Sequence, residues 1–187
     1  MRRLLQSTKE QRAYSWAGDS VAYVESSPET ESDIYVLSLR DLSSRRLVGT
    51  PGEDTAPAFS KDGHWIAYQS AQSGRIEVWV QRYPSGEDRQ QITNGGGNRP
   101  IWHPNGRQLI FKKGRSVMST TLTFTPALHA DVPVELFQMP GLLYDILPDG
   151  RFLMLRPGSP PPPVTELEVV VNWFEELRNK MGERRER

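Results

Sequence analysis

The sequence predicts an all-β fold assembled from a repeated unit of about 44 residues. The segment 59–68 aligns with 102–111 and with 146–155, and each copy has an apolar residue, a polar turn with Asp-Gly or Asn-Gly, and an apolar run. Glycine and proline, with 15 residues each among 187, are more frequent than in an average protein. Such a composition is typical of a chain with many short strands and turns.

Each copy begins with an apolar anchor residue and continues into a predicted hairpin. The anchors Phe59, Trp102 and Ile146 are 43 and 44 residues apart, and a step of 43 residues backwards from Phe59 reaches Trp16. The copy at Trp16 has two residues fewer in its turn. Because Asp-Gly and Asn-Gly tolerate a positive φ, the turn glycines have a backbone role in tight strand connections. The sequence therefore contains four copies of one hairpin.

A third and a fourth strand are predicted behind each of the first three hairpins. The third strands are rich in β-branched and aromatic residues, which favour strands. The predicted third strands are 33–39, 77–83 and 116–122, and the predicted fourth strands are 45–48, 89–92 and 134–137. Four strands in about 44 residues match the size of a propeller blade. The sequence thus predicts a β-propeller of four four-stranded blades.

The repeat resembles the WD40-like (PD40) repeat of TolB-type β-propellers, whose unit reads approximately apolar-Ser-Pro-Asp-Gly-x-x-apolar-Ala-Tyr/Phe. The corresponding turns here are Ser60-Lys61-Asp62-Gly63, His103-Pro104-Asn105-Gly106 and Leu147-Pro148-Asp149-Gly150, and each departs from the pattern at one or two positions. The resemblance covers approximately residues 4–174. Residues 169–177 are also similar to the end of propeller domains found behind bacterial serine/threonine kinases.

The two ends of the chain complement each other in the strand count. Residues 3–6 precede the first anchor as an orphan fourth strand, whereas 166–171 follow the last hairpin as a third strand without a fourth. Propellers of the resembling family close by sharing a blade between their ends, which removes exposed sheet edges. We therefore expect residues 3–6 to complete the last blade and residues 1–172 to form the propeller. The chain then closes alone with four blades, or two copies exchange this strand and form a homodimer with an eight-bladed ring, or the chain is the tail of a longer reading frame.

A short helix is predicted after the last strand. Asn172 and Glu175 have the spacing of a capping box. Residues 173–187 are therefore predicted to form a C-terminal helix with a charged tail, which packs on the propeller rim or docks a partner.

Charge and residue types argue against several functions. Lys and Arg (23) balance Asp and Glu (23), so no electrostatic surplus favours a nucleic acid or an anionic membrane. The chain has no cysteine, which excludes thiol nucleophiles and cysteine-bound metals. Its three histidines lie in or beside predicted turns and loops, and the sequence contains no Gly-x-Ser-x-Gly motif of a serine hydrolase. Gly95-Gly96-Gly97 is not followed by the Gly-Lys-Ser/Thr of a phosphate loop. We expect no catalytic residue, no metal and no cofactor.

The hydropathy pattern predicts no membrane insertion. No apolar stretch approaches the 18 to 20 residues of a membrane span, and the first residues are not followed by an apolar signal core. As written, the sequence predicts a cytoplasmic protein, or a periplasmic or extracytoplasmic one if it derives from a longer exported relative.

A propeller offers a central channel and loops around its mouth. If the anchor strands are innermost, as the resemblance implies, the aligned copies place six residues at one mouth: Arg12, Thr55, Asn98, Arg99, Tyr144 and Asp145. Arginine and tyrosine are enriched at binding hot spots, which favours a binding role for these residues. The alternative interpretation is that their side chains only pack in the channel. The sequence predicts a non-catalytic bacterial module that binds a protein or peptide through one face. The alternatives are a sensor fragment of a membrane serine/threonine kinase and the propeller domain of a prolyl-oligopeptidase-type hydrolase.

Overall fold

The computed structural model describes residues 4–139 and 141–155, and within these two ranges the regular structure consists of strands alone. The first two sheets contain β1 (Gln11–Ala17), β2 (Ser20–Ser27), β3 (Glu31–Ser38), β4 (Ser44–Val48), β5 (Asp54–Phe59), β6 (Trp65–Ser70), β7 (Glu77–Arg82) and β8 (Gln90–Gln91). The remaining strands are β9 (Asn98–Trp102), β10 (Gln108–Lys113), β11 (Ser116–Thr123), β12 (His129–Ala130), β13 (Val134–Gln138), β14 (Leu142–Ile146) and β15 (Phe152–Leu155).

The strands form antiparallel sheets in the order of the chain. β1 to β4 form the first blade and β5 to β8 the second. In the third blade β9, β10 and β11 follow one another, and both β12 and β13 pair with the free edge of β11. β14 and β15 form the hairpin of a fourth blade. The prediction of an all-β propeller built from 44-residue units is confirmed.

Two details differ from the sequence alignment. The fourth strand of blade 2 spans two residues, because the Thr93 hydroxyl accepts the amide of Val78 at 2.9 Å and takes the place of a ladder bond. In the fourth copy, Ile146 lies opposite Phe152, whereas Phe59 lies opposite a residue seven positions later, Ile66. The last hairpin is therefore one residue shorter, and a shift by one residue moves every later side chain to the other face of its strand.

The predictions for the two ends of the chain concern mostly residues outside the described ranges. Residues 4–6 lie outside the strands of the described chain. Arg3, the third strand predicted at 166–171 and the helix and tail predicted at 173–187 lie outside the described residues. Completion of the last blade by residues 3–6 therefore stays a prediction.

Each blade packs against the next through its anchor residue. Phe59 of blade 2 packs with Ala22 and Val36 of blade 1. Trp102 of blade 3 joins the largest apolar cluster, which includes Ala67 of blade 2, and its indole nitrogen donates to the Ala58 carbonyl at 2.9 Å. Ile146 belongs to a third cluster with residues of blade 3. The anchors thus hold neighbouring blades together by burying apolar surface.

The glycine-rich loop after β8 surrounds a carboxylate of the protein itself. Gly95 and Gly96 have φ values of +96° and +97°, and both of their amides donate to Oε1 of Glu77 at 2.9 Å. The Thr93 hydroxyl donates to the other carboxylate oxygen, and Arg75 lies 3.2 Å from the first. Consecutive amides in such a conformation form an anion-binding concavity. Here its anion is the buried side chain that begins β7, so the loop has a structural role.

Tyr68 lies at the centre of a second polar group. Its hydroxyl donates to Gln81 at 3.1 Å and accepts from Arg89 at 2.7 Å, and the Arg89 guanidinium covers the Trp79 ring at 4.9 Å. Burial of the phenol raises the pKa of Tyr68 to about 12.

We expect the free energy of unfolding to decrease as the pH rises from about 10 to about 12. The raised pKa means that the native state holds the phenolic proton more tightly than the unfolded chain, so this contribution is complete below the unfolded pKa and is lost as the pH approaches the folded one. The slope from this residue approaches about 1.4 kcal/mol per pH unit. Denaturant unfolding of the wild type and Tyr68→Phe at several pH values measures it, and an equal slope in both proteins would refute the assignment.

Candidate functional site

The first strands of the four repeats line one groove. β1, β5, β9 and β14 surround a space of about 700 Å³. Its walls are formed by residues 12–16, 56–59, 99–102, 143 and 145. The anchor strands are therefore the innermost strands, as expected.

Each innermost strand has a bulge at the same position of the repeat. The register shifts between Ala13 and Ser15 in β1, and between Thr55 and Ala58 in β5. The corresponding shift in β9 lies opposite residues 110–112, and that in β14 lies between Leu143 and Asp145. A bulge leaves residues without a ladder partner and redirects the strand. In β1, β5 and β9 the bulges place their unpaired residues at the groove.

Two of these bulges share an unusual backbone conformation. Ala56 and Arg99 have φ values of +50° and +51°, and a proline follows each of them. Few residues other than glycine adopt this left-handed region. In β9 the conformation is held by Gln69 of the preceding blade, whose Oε1 accepts the Arg99 amide at 3.0 Å. The Arg99 side chain is thereby presented at the surface.

The structure brings three of the six predicted site residues into the groove: Arg12, Arg99 and Asp145, all exposed. Thr55 lies in a neighbouring cavity of about 180 Å³ between blades 1 and 2, which Arg12 also lines. Asn98 is half-buried in β9, opposite Lys112. Tyr144 occupies the bulge of β14.

The charges at the groove have different partners. The Arg12 guanidinium donates to Glu10 at 2.8 Å, and this hydrogen bond raises the pKa of Arg12 above its ordinary value. Asp145 accepts the amide of Ile146 at 2.7 Å. Among the residues that the structure describes, the Arg99 guanidinium has no ion-pair partner. The Arg99 side chain is exposed at the groove.

Two further groove residues were not among the predicted site residues. Tyr14 occupies the bulge of β1, and Trp16 follows two positions later with most of its side chain exposed. The alignment assigned Trp16 only the role of an anchor. Proline inside a strand is confined to edges and bulges, so Pro57 and Pro100 were the sequence signal that could have located the bulges.

The three histidines of the sequence all lie within the described residues. His64 and His129 are exposed, and Nδ1 of His103 accepts the Asn105 amide within its turn at 3.2 Å. In this part of the chain no cluster of three or more His, Asp or Glu side chains has the arrangement of a metal site. The described residues contain no helix of the length and apolarity that a membrane crossing requires.

Repeated four-stranded antiparallel sheets, with their first strands around one groove, define the chain as a β-propeller. Residues 5–126 match the PD40 family, described as the TolB beta propeller domain, and the chain belongs to this family.

Three similar proteins show how the chain compares with longer ones. The uncharacterized protein Atu1656 of Agrobacterium fabrum is 28% identical over 135 residues, which are 69% of this chain and 44% of that protein. TolB from Acinetobacter baumannii superimposes with a TM-score of 0.63 at 20% identity, over 83% of this chain and 40% of that one. A puromycin-hydrolysing peptidase of Mycobacterium tuberculosis gives 0.53 at 19% identity, over 77% of this chain and 28% of that one. The chain thus spans less than half the length of these proteins.

Proposed function

We propose that the chain is a non-catalytic interaction module that binds a protein or a peptide at the groove between its innermost strands. The observation that supports this most directly is the concentration of exposed aromatic and arginine side chains around the 700 Å³ space, namely Tyr14, Trp16, Arg12 and Arg99. These residue types supply most hot spots of protein interfaces. Aromatic rings contribute large apolar area, and arginine adds directed hydrogen bonds to carboxylates or carbonyls.

Arg99 is the side chain on which this proposal depends most. Its backbone is fixed by Gln69, so the arginine meets a ligand with little loss of backbone freedom. Its guanidinium, without an ion-pair partner in the described chain, is available to a carboxylate or a carbonyl group. The other proposed binding residues are Arg12, Thr55, Asn98, Tyr144 and Asp145.

The test uses peptides selected on the wild-type chain from a random library. Their affinity is expected to fall about 10-fold or more in Arg99→Ala, because a hot-spot contact is lost. Arg107→Ala is the matched control, since Arg107 is an exposed arginine of the same blade in the turn at the other end of β9. Isothermal titration calorimetry measures both variants. Equal affinities in both, or a library that yields no binding peptide, would refute the proposed site.

A homodimer that closes an eight-bladed ring is part of the same proposal. In it, residues 3–6 of each copy complete the last blade of the other copy. Residues 4–6 lie outside the strands of the described chain, and Leu4 is exposed, which supports their availability for such an exchange. The solution mass from light scattering distinguishes one copy from two.

The alternative is a propeller domain that accompanies a catalytic domain, either a hydrolase of the prolyl-oligopeptidase type or a membrane serine/threonine kinase. The fold similarity to the mycobacterial peptidase supports the hydrolase form of this alternative. A reading frame for a hydrolase or a kinase that continues into this one in the genome would favour it over the separate module.

A further inference from the structure

The junctions between blades in this chain repeat one contact. Phe59 packs with Ala22 of the preceding blade, Trp102 packs in the cluster of Ala67, and Ile146 packs with Ile110. The three anchors Phe59, Trp102 and Ile146 retain 7%, 8% and 7% of their exposure. The three residues that receive them are 0%, 0% and 1% exposed. At each of these three junctions, the anchor and its receiving residue are thus buried in one apolar cluster.

Trp16 is an anchor that meets no blade in the described chain. It lies opposite Val21 in the ladder, as Phe59 lies opposite Ile66, so its position in the blade is the same. Its exposure is 69%, about nine times that of the other anchors. Among residues 4–139 and 141–155, no blade covers the leading face of the first blade at Trp16.

Leu153 is the matching residue at the other end. It lies opposite Asp145, as Ala67 lies opposite Ala58 and Ile110 opposite Ile101, which makes it the receiving residue of the fourth hairpin. Its exposure is 44%, whereas its three equivalents are fully buried. Residues 152–155 carry no charge, whereas the exposed Asp145 opposite Leu153 is charged and has to be paired or partly desolvated when this face is covered.

We infer that Trp16 of one copy packs on Leu153 of a second copy, and that two such junctions join the two chains. The contact repeats the geometry that the chain already uses three times. Each junction would bury a tryptophan and a leucine. If a two-fold axis relates the two copies, the anchor of each copy meets the receiving residue of the other, and the assembly closes as a dimer. This inference rests on the dimeric form of the proposed function. It also makes the groove a shared site, because Trp16 lines the groove and would lie beside the second copy.

The absence of cysteine allows a direct test by cross-linking. In the double variant Trp16→Cys/Leu153→Cys, a short bismaleimide is expected to give a covalent dimer on a denaturing gel. Each single variant is expected to give none, because in the inferred junction Trp16 of one copy meets Leu153 of the other and the two Trp16 positions do not meet each other. The double variant Trp16→Cys/Met154→Cys is the matched control, since Met154 is also 44% exposed but points to the other side of β15.

The outcomes distinguish a second copy on the face at Leu153 from closure of the chain on itself. A covalent dimer from the Leu153 pair alone supports the inference. Cross-linking within one chain would overturn it and show that the chain closes on itself. No product, or equal products from the Leu153 and Met154 pairs, would overturn it as well. Because peptide affinity is measured separately on Arg99→Ala, failure of the junction and failure of the binding site give different results.

Discussion

Replacing Trp102 by alanine is expected to lower the free energy of unfolding by about 3–5 kcal/mol, the range for removal of a large buried aromatic residue. Trp102 joins blades 2 and 3 in the largest apolar cluster, and its truncation leaves a cavity and also removes the hydrogen bond to the Ala58 carbonyl. Chemical denaturation followed by circular dichroism measures the change. The loss is expected to be independent of protein concentration, because both blades belong to one chain.

Trp16→Ala is the matched control for this prediction. The same residue type occupies the same repeat position, but its side chain is exposed within the chain. Its effect is expected to stay within about 0.5 kcal/mol in dilute protein and to grow with concentration if two copies pair through it. Similar, concentration-independent losses for both tryptophans would contradict the difference between inner and terminal anchors.

Glu77→Ala is expected to cost about 3–5 kcal/mol, as for removal of one partner from a buried charged network. Glu77 is 1% exposed and receives the amides of Gly95 and Gly96 together with the Thr93 hydroxyl. Without the carboxylate these donors lose their acceptor, and buried unsatisfied donors are costly. The loop that leads from β8 to the innermost strand β9 would lose its fixed shape.

The control for Glu77 is Glu135→Ala in β13. Glu135 also accepts a hydroxyl, that of Ser116 at 2.6 Å, but it lies at the surface. Its replacement is expected to change the free energy of unfolding by less than about 0.5 kcal/mol. Hydrogen exchange of the amides of residues 93–97 adds a local measurement, and unchanged protection in Glu77→Ala would contradict the role of the carboxylate.

The fold could be predicted from the sequence because the repeat constrains it four times. The anchors and the Asp-Gly and Asn-Gly turns recur at an almost constant interval, and each copy has the same physical reason for its hairpin. Local details escaped the pattern. The end of β8 depends on the side chain of Thr93, whose hydroxyl replaces a backbone partner. The alignment keeps Gly150 in phase with the other turn glycines, so it does not reveal that the turn before Phe152 is one residue shorter.

The site was predictable in part. Alignment placed Arg12, Arg99 and Asp145 on the strands that line the groove, and the structure brings these three together there. The bulges were not predicted. Pro57 and Pro100 mark two of them in the sequence, but the residues before these prolines, Ala56 and Arg99, adopt a backbone conformation that their residue types rarely favour. The exposure of Trp16 was also beyond the sequence pattern, since a repeat predicts the shape of a unit and not whether another unit lies against it.

Each bulge of an innermost strand contains a residue that does not pair in the ladder. A residue within a ladder contributes to folding through its neighbours, so its replacement is limited by the sheet. The bulge positions hold Tyr14 in the first repeat, Ala56-Pro57 in the second, Arg99-Pro100 in the third and Tyr144 in the fourth, although the surrounding framework is the same. Substitutions at these positions are therefore expected to change the residues that are free of the ladder while the hydrogen-bonded framework of the blades stays intact.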